Sequence, residues 1–259
     1  MRFNALYTLL GTFNLTDKNN RMIDLRLGDC LEVMKTIKDN SIDAIITDPP
    51  YGTTACKWDS VIDFDLMWEQ LNRIIKPNGA IVLFGSEPFS SALRMSNIKN
   101  YKYDWQWDKK LGGNSMLVKK QPSRVVENIM VFNKHNYYPQ MEERGKPVYK
   151  NNKNKATYES ANKHNDKAVR VKNNIYYPKS IISIYNNRRG KVHPTQKPVE
   201  LLEYLIKTYT NENETVLDFT MGSGTAMVAC KNLSRNGIGI EQDEKYFNIA
   251  QERVNSTLF

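Results

Sequence analysis

Thr215-Val216-Leu217-Asp218-Phe219-Thr220-Met221-Gly222-Ser223-Gly224-Thr225 runs from a short apolar stretch through a glycine-bearing bend into a helix-forming segment. That strand-to-helix context gives a glycine bend its meaning, because two glycines let the backbone turn tightly and pass close to a ligand. After the helix, Gly237-Ile238-Gly239-Ile240 reads as a second strand that ends in Glu241. That acid lies where a carboxylate can accept both hydroxyls of a ribose. An ordinary strand-to-helix turn remains the alternative for this motif by itself.

A dinucleotide fingerprint would place a third glycine at position 227, where Met227 stands, and no G-x-x-x-x-G-K-[S/T] occurs. The bend therefore favours an adenosine ligand without a pyrophosphate, of which S-adenosylmethionine is the obvious case.

Working outward, short buried strands alternate with amphipathic helices. Residues 22–27, 42–47 and 80–84 read as strands, with helices over 29–37, 65–75 and 88–96 between and after them. The same alternation resumes after Pro198, with a helix over 200–209 and the 215–255 elements. This pattern predicts an α/β fold with a mostly parallel sheet and helices on both faces. From 108 to 192 the alternation breaks, although Val125 to Phe132 and Ile181 to Tyr185 still read as strands. That stretch is read as an insertion on the rim of the sheet. The organisation expected is an N-terminal extension over 1–21, two core halves at 22–107 and 193–259, and the insertion between them.

The chain has 259 residues and a net charge of +9, which invites an anionic partner. Residues 144–175 hold nine basic side chains against Glu159 and Asp166 alone, so most of the excess sits there. A solvated Asn/Lys-rich loop is the bland reading of that tract. No apolar run is long enough for a membrane span. The first fifteen residues faintly resemble a signal peptide, but Gly11, Thr12 and Asn14 interrupt the apolar stretch and no small-residue cleavage site follows. They read as a surface extension, with the compact fold starting at Met22. Cys30, Cys56 and Cys230 and the three histidines are scattered, so neither a disulfide framework nor a metal site is expected, and a reducing cytoplasm is the default.

A second motif, Asp48-Pro49-Pro50-Tyr51, directly follows the strand over 42–47. The prolines fix their own φ, and Pro50 keeps Pro49 out of the helical region, so the corner is stiff. It gathers a carboxylate, a carbonyl without a helix or sheet partner, and an aromatic ring. Those groups suit a planar base with an exocyclic amine: two acceptors for its N–H bonds and a face for stacking. A tight turn with a satisfied Asp is the simpler alternative.

Together these motifs resemble the DNA amino-methyltransferases, which carry a D/N/S-P-P-Y/F/W motif and an F-x-G-x-G loop. Asp48 to Tyr51 fill the first and Phe219 to Gly224 the second. Their order resembles the β class, in which the target-recognition region lies between them, the place of 108–192. Gly28-Asp29-Cys30-Leu31, His193-Pro194-Thr195-Gln196-Lys197-Pro198 and Trp105-Gln106-Trp107-Asp108-Lys109 are similar to further segments of that class.

The resemblance implies a Rossmann-like methyltransferase fold and transfer of a methyl group from S-adenosylmethionine to adenine-N6 of a flipped base in double-stranded DNA. It implies catalysis by Asp48, Pro49, Pro50 and Tyr51. It implies cofactor contacts from Asp29, Thr195, Lys197, Asp218, Phe219, Gly222, Gly224 and Glu241. Lys146, Lys150, Lys153, Lys155, Arg188 and Arg189 are the phosphate-contact candidates. A homodimer and a cognate restriction endonuclease stay open as partners.

The nearest rival is cytosine-N4 methylation, in which Ser more often opens the first motif. Others are an RNA or protein-glutamine methyltransferase and a DNA-binding module without chemistry. Cytosine carbon-5 chemistry is set aside, because it needs a cysteine after proline, and the three cysteines follow Asp29, Ala55 and Ala229.

Overall fold

A computed structural model describes residues 6–8, 11–16, 21–53, 59–113, 118–151, 170–186 and 190–256. In chain order the elements are β1 (Leu6–Thr8), β2 (Thr12–Thr16), β3 (Met22–Leu27), α1 (Cys30–Met34), β4 (Ile42–Thr47) and α2 (Phe64–Ile74). Then come β5 (Ile75–Gly85), α3 (Phe89–Ser96), β6 (Tyr101–Asp108), β7 (Val126–Phe132), β8 (Glu142–Asn151), β9 (Arg170–Tyr176) and β10 (Ile181–Ser183). The chain closes with α4 (Val199–Tyr209), β11 (Thr215–Asp218), α5 (Thr225–Asn232), β12 (Asn236–Glu241) and α6 (Glu244–Ser256).

Among the described residues, ten strands form one mixed sheet in the order β1-β2-β3-β12-β11-β4-β5-β7-β6-β10. The central run from β3 to β5 is parallel, as expected, while β7 is antiparallel to both β5 and β6. Period-two alternation explains the layering. Along β4, Ala44 and Ile46 join the core cluster that holds α4, α5 and α6, and Ile45 joins the one that holds α1, α2 and α3. Leu201, Leu205, Phe247 and Val254 are buried on the first side, and Met67, Trp68, Leu71 and Leu93 on the second. Helices thus cover both faces.

Two expectations need correction. The compact fold does not start at Met22. Residues 12–16 form β2, antiparallel to β3, and alternation drives Phe13 and Leu15 into the core at 1% and 3% exposure. Gly11, which interrupts the apolar run, sits at φ +62° in the turn before β2, a conformation that suits glycine. The stretch 108–192 is also not one insertion. Its β7 and β10 pair within the large sheet, and what separates as a compact unit is 139–179. Backbone hydrogen-bonding demand explains this, since apolar strands such as Ile129 to Phe132 find ladder partners only in a sheet.

Among the described residues of the 139–179 unit, β8 and β9 pair as an antiparallel ribbon. Arg144 pairs with Glu142 at 2.7 Å and lies over the Tyr176 ring.

Candidate active site

Strand order decides where a ligand can sit. β11 leads to β12 on one side and β4 leads to β5 on the other, so the order reverses between β11 and β4. Ligands of open α/β sheets bind beyond the carboxyl ends of strands at such a point. The two motifs leave these two adjacent parallel strands, Asp48 after β4 and Phe219 after β11. They are fastened together. Thr220 Oγ1 donates to the Asp48 carbonyl at 3.1 Å, and Phe219 N donates to Thr47 Oγ1 at 3.0 Å. A cavity of about 940 Å³ opens there, lined by Asp48 to Tyr51, Asp218 to Ser223, Asp29, Thr195, Lys197 and Glu241.

The glycine bend is shaped by its neighbours. Gly222 and Gly224 have φ of +51° and +73°, the left-handed region that side chains disfavour. Gly222 N donates to Glu241 Oε2 at 2.9 Å, and Glu241 Oε1 accepts from Asp243 N at 2.8 Å. Arg253 from α6 donates to the Ser223 carbonyl and hydroxyl and to Thr225 Oγ1. Asp218 is buried and bonded to the Thr47 hydroxyl and to Thr220 N. Its burial, with the Asp48 and Glu241 charges adding to it, lifts its carboxyl to about 7. Asp218 therefore braces the bend from below, whereas Gly222 and Glu241 form the cavity wall.

The elbow meets a compact charge network. Asp48 Oδ1 accepts from the Tyr51 hydroxyl at 2.5 Å, and Asp48 Oδ2 from Lys197 Nζ at 2.7 Å. The Lys197 ammonium also lies 2.7 Å from Glu127 Oε1, and it sits over the Phe84 and Trp107 rings. Lys109 Nζ reaches Glu127 Oε2 at 3.3 Å. Burial pushes the Asp48 carboxyl up from its ordinary value, with Lys197 opposing and Glu127 reinforcing the rise. Burial works against Lys197 as well, but the two carboxylates outweigh it and hold the ammonium above its usual value. The Tyr51 ring stacks on Phe89 at 4.9 Å, so one of its faces is already used.

The remaining expected residues fall in different places. Asp29 is exposed at the cavity edge and caps α1 through Leu31 N and Glu32 N, as a residue of its type before a helix does. Thr195 is exposed, and its hydroxyl contacts His193 Nδ1 at 3.1 Å. His193 is held neutral, lowered to about 4 by burial and then by the Lys197 charge, and it packs against Tyr246 at 4.1 Å. Lys197, grouped with the cofactor residues on resemblance, points at the acidic elbow instead. The backbone of Lys146 and Lys150 lies in β8, while Lys153, Lys155, Arg188 and Arg189 lie outside the described residues.

Glu127, Thr47, Phe89 and Arg253 were not expected at the site. A signal existed for one of them: Glu127 is an acid inside an apolar strand run, where a lone charge calls for a partner.

A rigid acidic and aromatic corner fastened to a glycine bend at a topological switch point defines a group-transfer enzyme built around a nucleoside ligand. Comparison with known proteins gives the family. A model of the DNA methylases, of N6/N4 type, matches residues 42–252. The chain is 30% identical over 251 residues to the Type II methyltransferase M.HpaI of Haemophilus parainfluenzae, covering 90% of this chain and 75% of that protein. It is 28% identical to the Type II methyltransferase M.HinfI of Haemophilus influenzae, over 93% of this chain and 70% of that one. The crystal structure of the M1.HpyAVI–SAM complex superposes with a TM-score of 0.60 at 28% identity, covering 88% of this chain and 98% of the other. The cytosine-N4-specific PvuII DNA methyltransferase superposes at 0.63 with 18% identity, covering 91% and 87%, a likeness of fold alone. The chain belongs to the N6/N4 DNA methylase family.

Among the described residues, no helix is long and apolar enough to cross a membrane.

Proposed function

We propose that this chain transfers a methyl group from S-adenosylmethionine to the exocyclic N6 of adenine at specific sites in double-stranded DNA. The observation that carries the reading is the Thr220–Asp48 hydrogen bond, which fixes the elbow and the glycine bend on one cavity. The cavity suits the cofactor. A Cβ on Gly222 would come no nearer than 3.6 Å to the His193 ring, so the bend presents bare backbone, and Glu241 offers a carboxylate beside it. When bound, S-adenosylmethionine supplies an electrophilic methyl group on a sulfonium. Gly222 lets the backbone approach it, Gly224 turns the chain against Ala250 of α6 rather than lining the cavity, and Glu241, Asp29, Phe219, Thr195 and Asp218 shape or brace the surrounding wall.

An aromatic amine is a poor nucleophile because its lone pair is delocalised into the ring. The Asp48 carboxylate and the Pro49 carbonyl accept its two N–H bonds and favour a pyramidal nitrogen with a directed lone pair, a positioning and electrostatic effect. Lys197 opposes the burial that would otherwise neutralise Asp48. Tyr51, backed by Phe89, offers its other face to the base, which must leave the duplex to reach this depth.

Asp at the first motif position supports adenine over cytosine. The ribbon of β8 and β9 overlaps the basic 144–175 tract, is of the two-stranded kind that a major groove admits, and is the target-recognition element in this reading. Lys146, Lys150, Lys153, Lys155, Arg188 and Arg189 supply phosphate contacts, and action on DNA sets the work in the cytoplasm. Sedimentation with and without DNA tests the homodimer, and co-purification with a neighbouring endonuclease tests that partner.

Tritium transfer from labelled cofactor into duplex DNA, followed by nucleoside digestion, tests the reaction. N6-methyladenine is expected, and Asp48→Ala should abolish transfer while cofactor still binds. Label on cytosine, or turnover retained by Asp48→Ala, would overturn the assignment.

A further inference from the structure

Glu127 has no part in the chemistry above, yet it is one of the most buried charges in the protein, at 8% exposure. It stands in β7, and it shares both of the donors that hold Asp48. The Tyr51 hydroxyl has a single proton and two acceptors, Asp48 Oδ1 at 2.5 Å and Glu127 Oε1 at 3.2 Å. Lys197 Nζ lies 2.7 Å from a carboxylate oxygen of each acid. Each Asp48 oxygen already accepts a donor, and the short Tyr51 bond is of the strong, charge-assisted kind. An incoming amine must compete with it.

We propose that Glu127 is a positioning residue for amine methylation: it is the alternative acceptor to which Tyr51 and Lys197 turn when the amine arrives, leaving Asp48 free to hold the target. The inference rests on the amine reading above. No bond is made or broken in the exchange. The hydroxyl rotates about its C–O bond, the ammonium leans toward Glu127, and the amine N–H takes the vacated place on Asp48 Oδ1. Burial works to raise the Glu127 carboxyl, but Lys197 and Lys109 hold it below its ordinary value, so it stays an anion able to receive both donors. The groups facing Asp48 are Lys197, Tyr51, Glu127 and Asp218; those facing Glu127 are Lys197, Lys109, Tyr51 and Asp48. Two carboxylates and two ammonium groups thus compensate one another, and the donors can move without leaving a charge unmatched.

Glu127→Gln keeps the shape and removes the charge. In single-turnover methyl transfer on duplex DNA, the rate should fall roughly tenfold or more, with cofactor and DNA affinities within about twofold of wild type. In the Tyr51→Phe background, which has no hydroxyl to redirect, the same change should cost about threefold or less. The acid limb of the rate profile should move to lower pH in Glu127→Gln, because Asp48 loses an anionic neighbour. It should move to higher pH in Lys109→Met, where a cation is lost. An unchanged rate in Glu127→Gln, or equal losses in both Tyr51 backgrounds, would overturn the proposal. If Glu127→Gln does not fold, the Lys109→Met profile decides, an unmoved limb being the refuting result. Wild-type enzyme that transfers no methyl to an amine would instead remove the reading on which this rests.

Discussion

Two neighbouring glycines should fail in opposite ways. Gly224 and Gly222 both sit in the left-handed region, so an alanine at either carries a backbone cost of roughly 1–2 kcal/mol. Their surroundings differ. A Cβ on Gly224 would lie 2.8 Å from Ala250 Cβ and 3.2 Å from its Cα, inside the packing of α6 against the bend. The helix must shift, which adds roughly 1–3 kcal/mol for overpacking. Gly224→Ala should therefore lose about 2–5 kcal/mol, a fall in Tm of roughly 4–20 °C at about 2–4 °C per kcal/mol. The nearest neighbour of a Cβ on Gly222 is the His193 ring, at 3.6 Å, an ordinary contact. Gly222→Ala should lose only the backbone cost, but its methyl intrudes where the backbone has to approach the cofactor. S-adenosylmethionine should bind it about tenfold or more weakly, at least about 1.4 kcal/mol. Differential scanning calorimetry and isothermal titration of cofactor read the two effects. If Gly224→Ala melts within about 2 °C of wild type, or if Gly222→Ala binds cofactor as well as wild type does, the division of labour in this bend is wrong.

Three further outcomes follow from particular residues. Asp218 has its carboxyl raised to about 7 by burial, so between about pH 4 and 7 the folded chain keeps a proton that the unfolded chain has lost. Stability should be highest below about pH 4 on this account and decline as pH rises to 7, by up to about 4 kcal/mol. Asp218→Asn should flatten that decline in urea midpoints, and parallel curves for the two proteins would sink the assignment. Phe13→Ala should cost about 3–5 kcal/mol as a buried aromatic truncation, whereas a loss below about 1 kcal/mol would show that β2 is not part of the core. With about five phosphate contacts from the basic tract, log affinity for DNA should fall against log salt with a slope near −4.5 by filter binding, and a slope near zero would remove the tract from the interface.

The elements around the site were legible because their signals are local. The strand over 42–47 and the bend over 218–225 declare themselves by apolar runs stopped by prolines or glycines. Asp29 capped its helix for the same reason. The N-terminal strands were not legible in this way, because the alternation of Phe13 and Leu15 spans too few residues to separate it from an apolar tail. Only the unpaired edge of β3 made that segment a strand. β7 likewise reads as a strand in isolation, but nothing local says that it pairs with β5 and β6 in the main sheet.

Sequence by itself determined the chemical vocabulary: a stiff acidic corner, a glycine bend, the order in which they occur and the α/β alternation between them. Tertiary structure alone decided which groups touch. It brought Lys197 to Asp48 across 149 positions in the chain and set Glu127 beside both. The reason is physical. Propensities and turn geometry act over a few neighbouring residues, whereas the fate of a charge depends on which partners the folded chain carries into the same desolvated space.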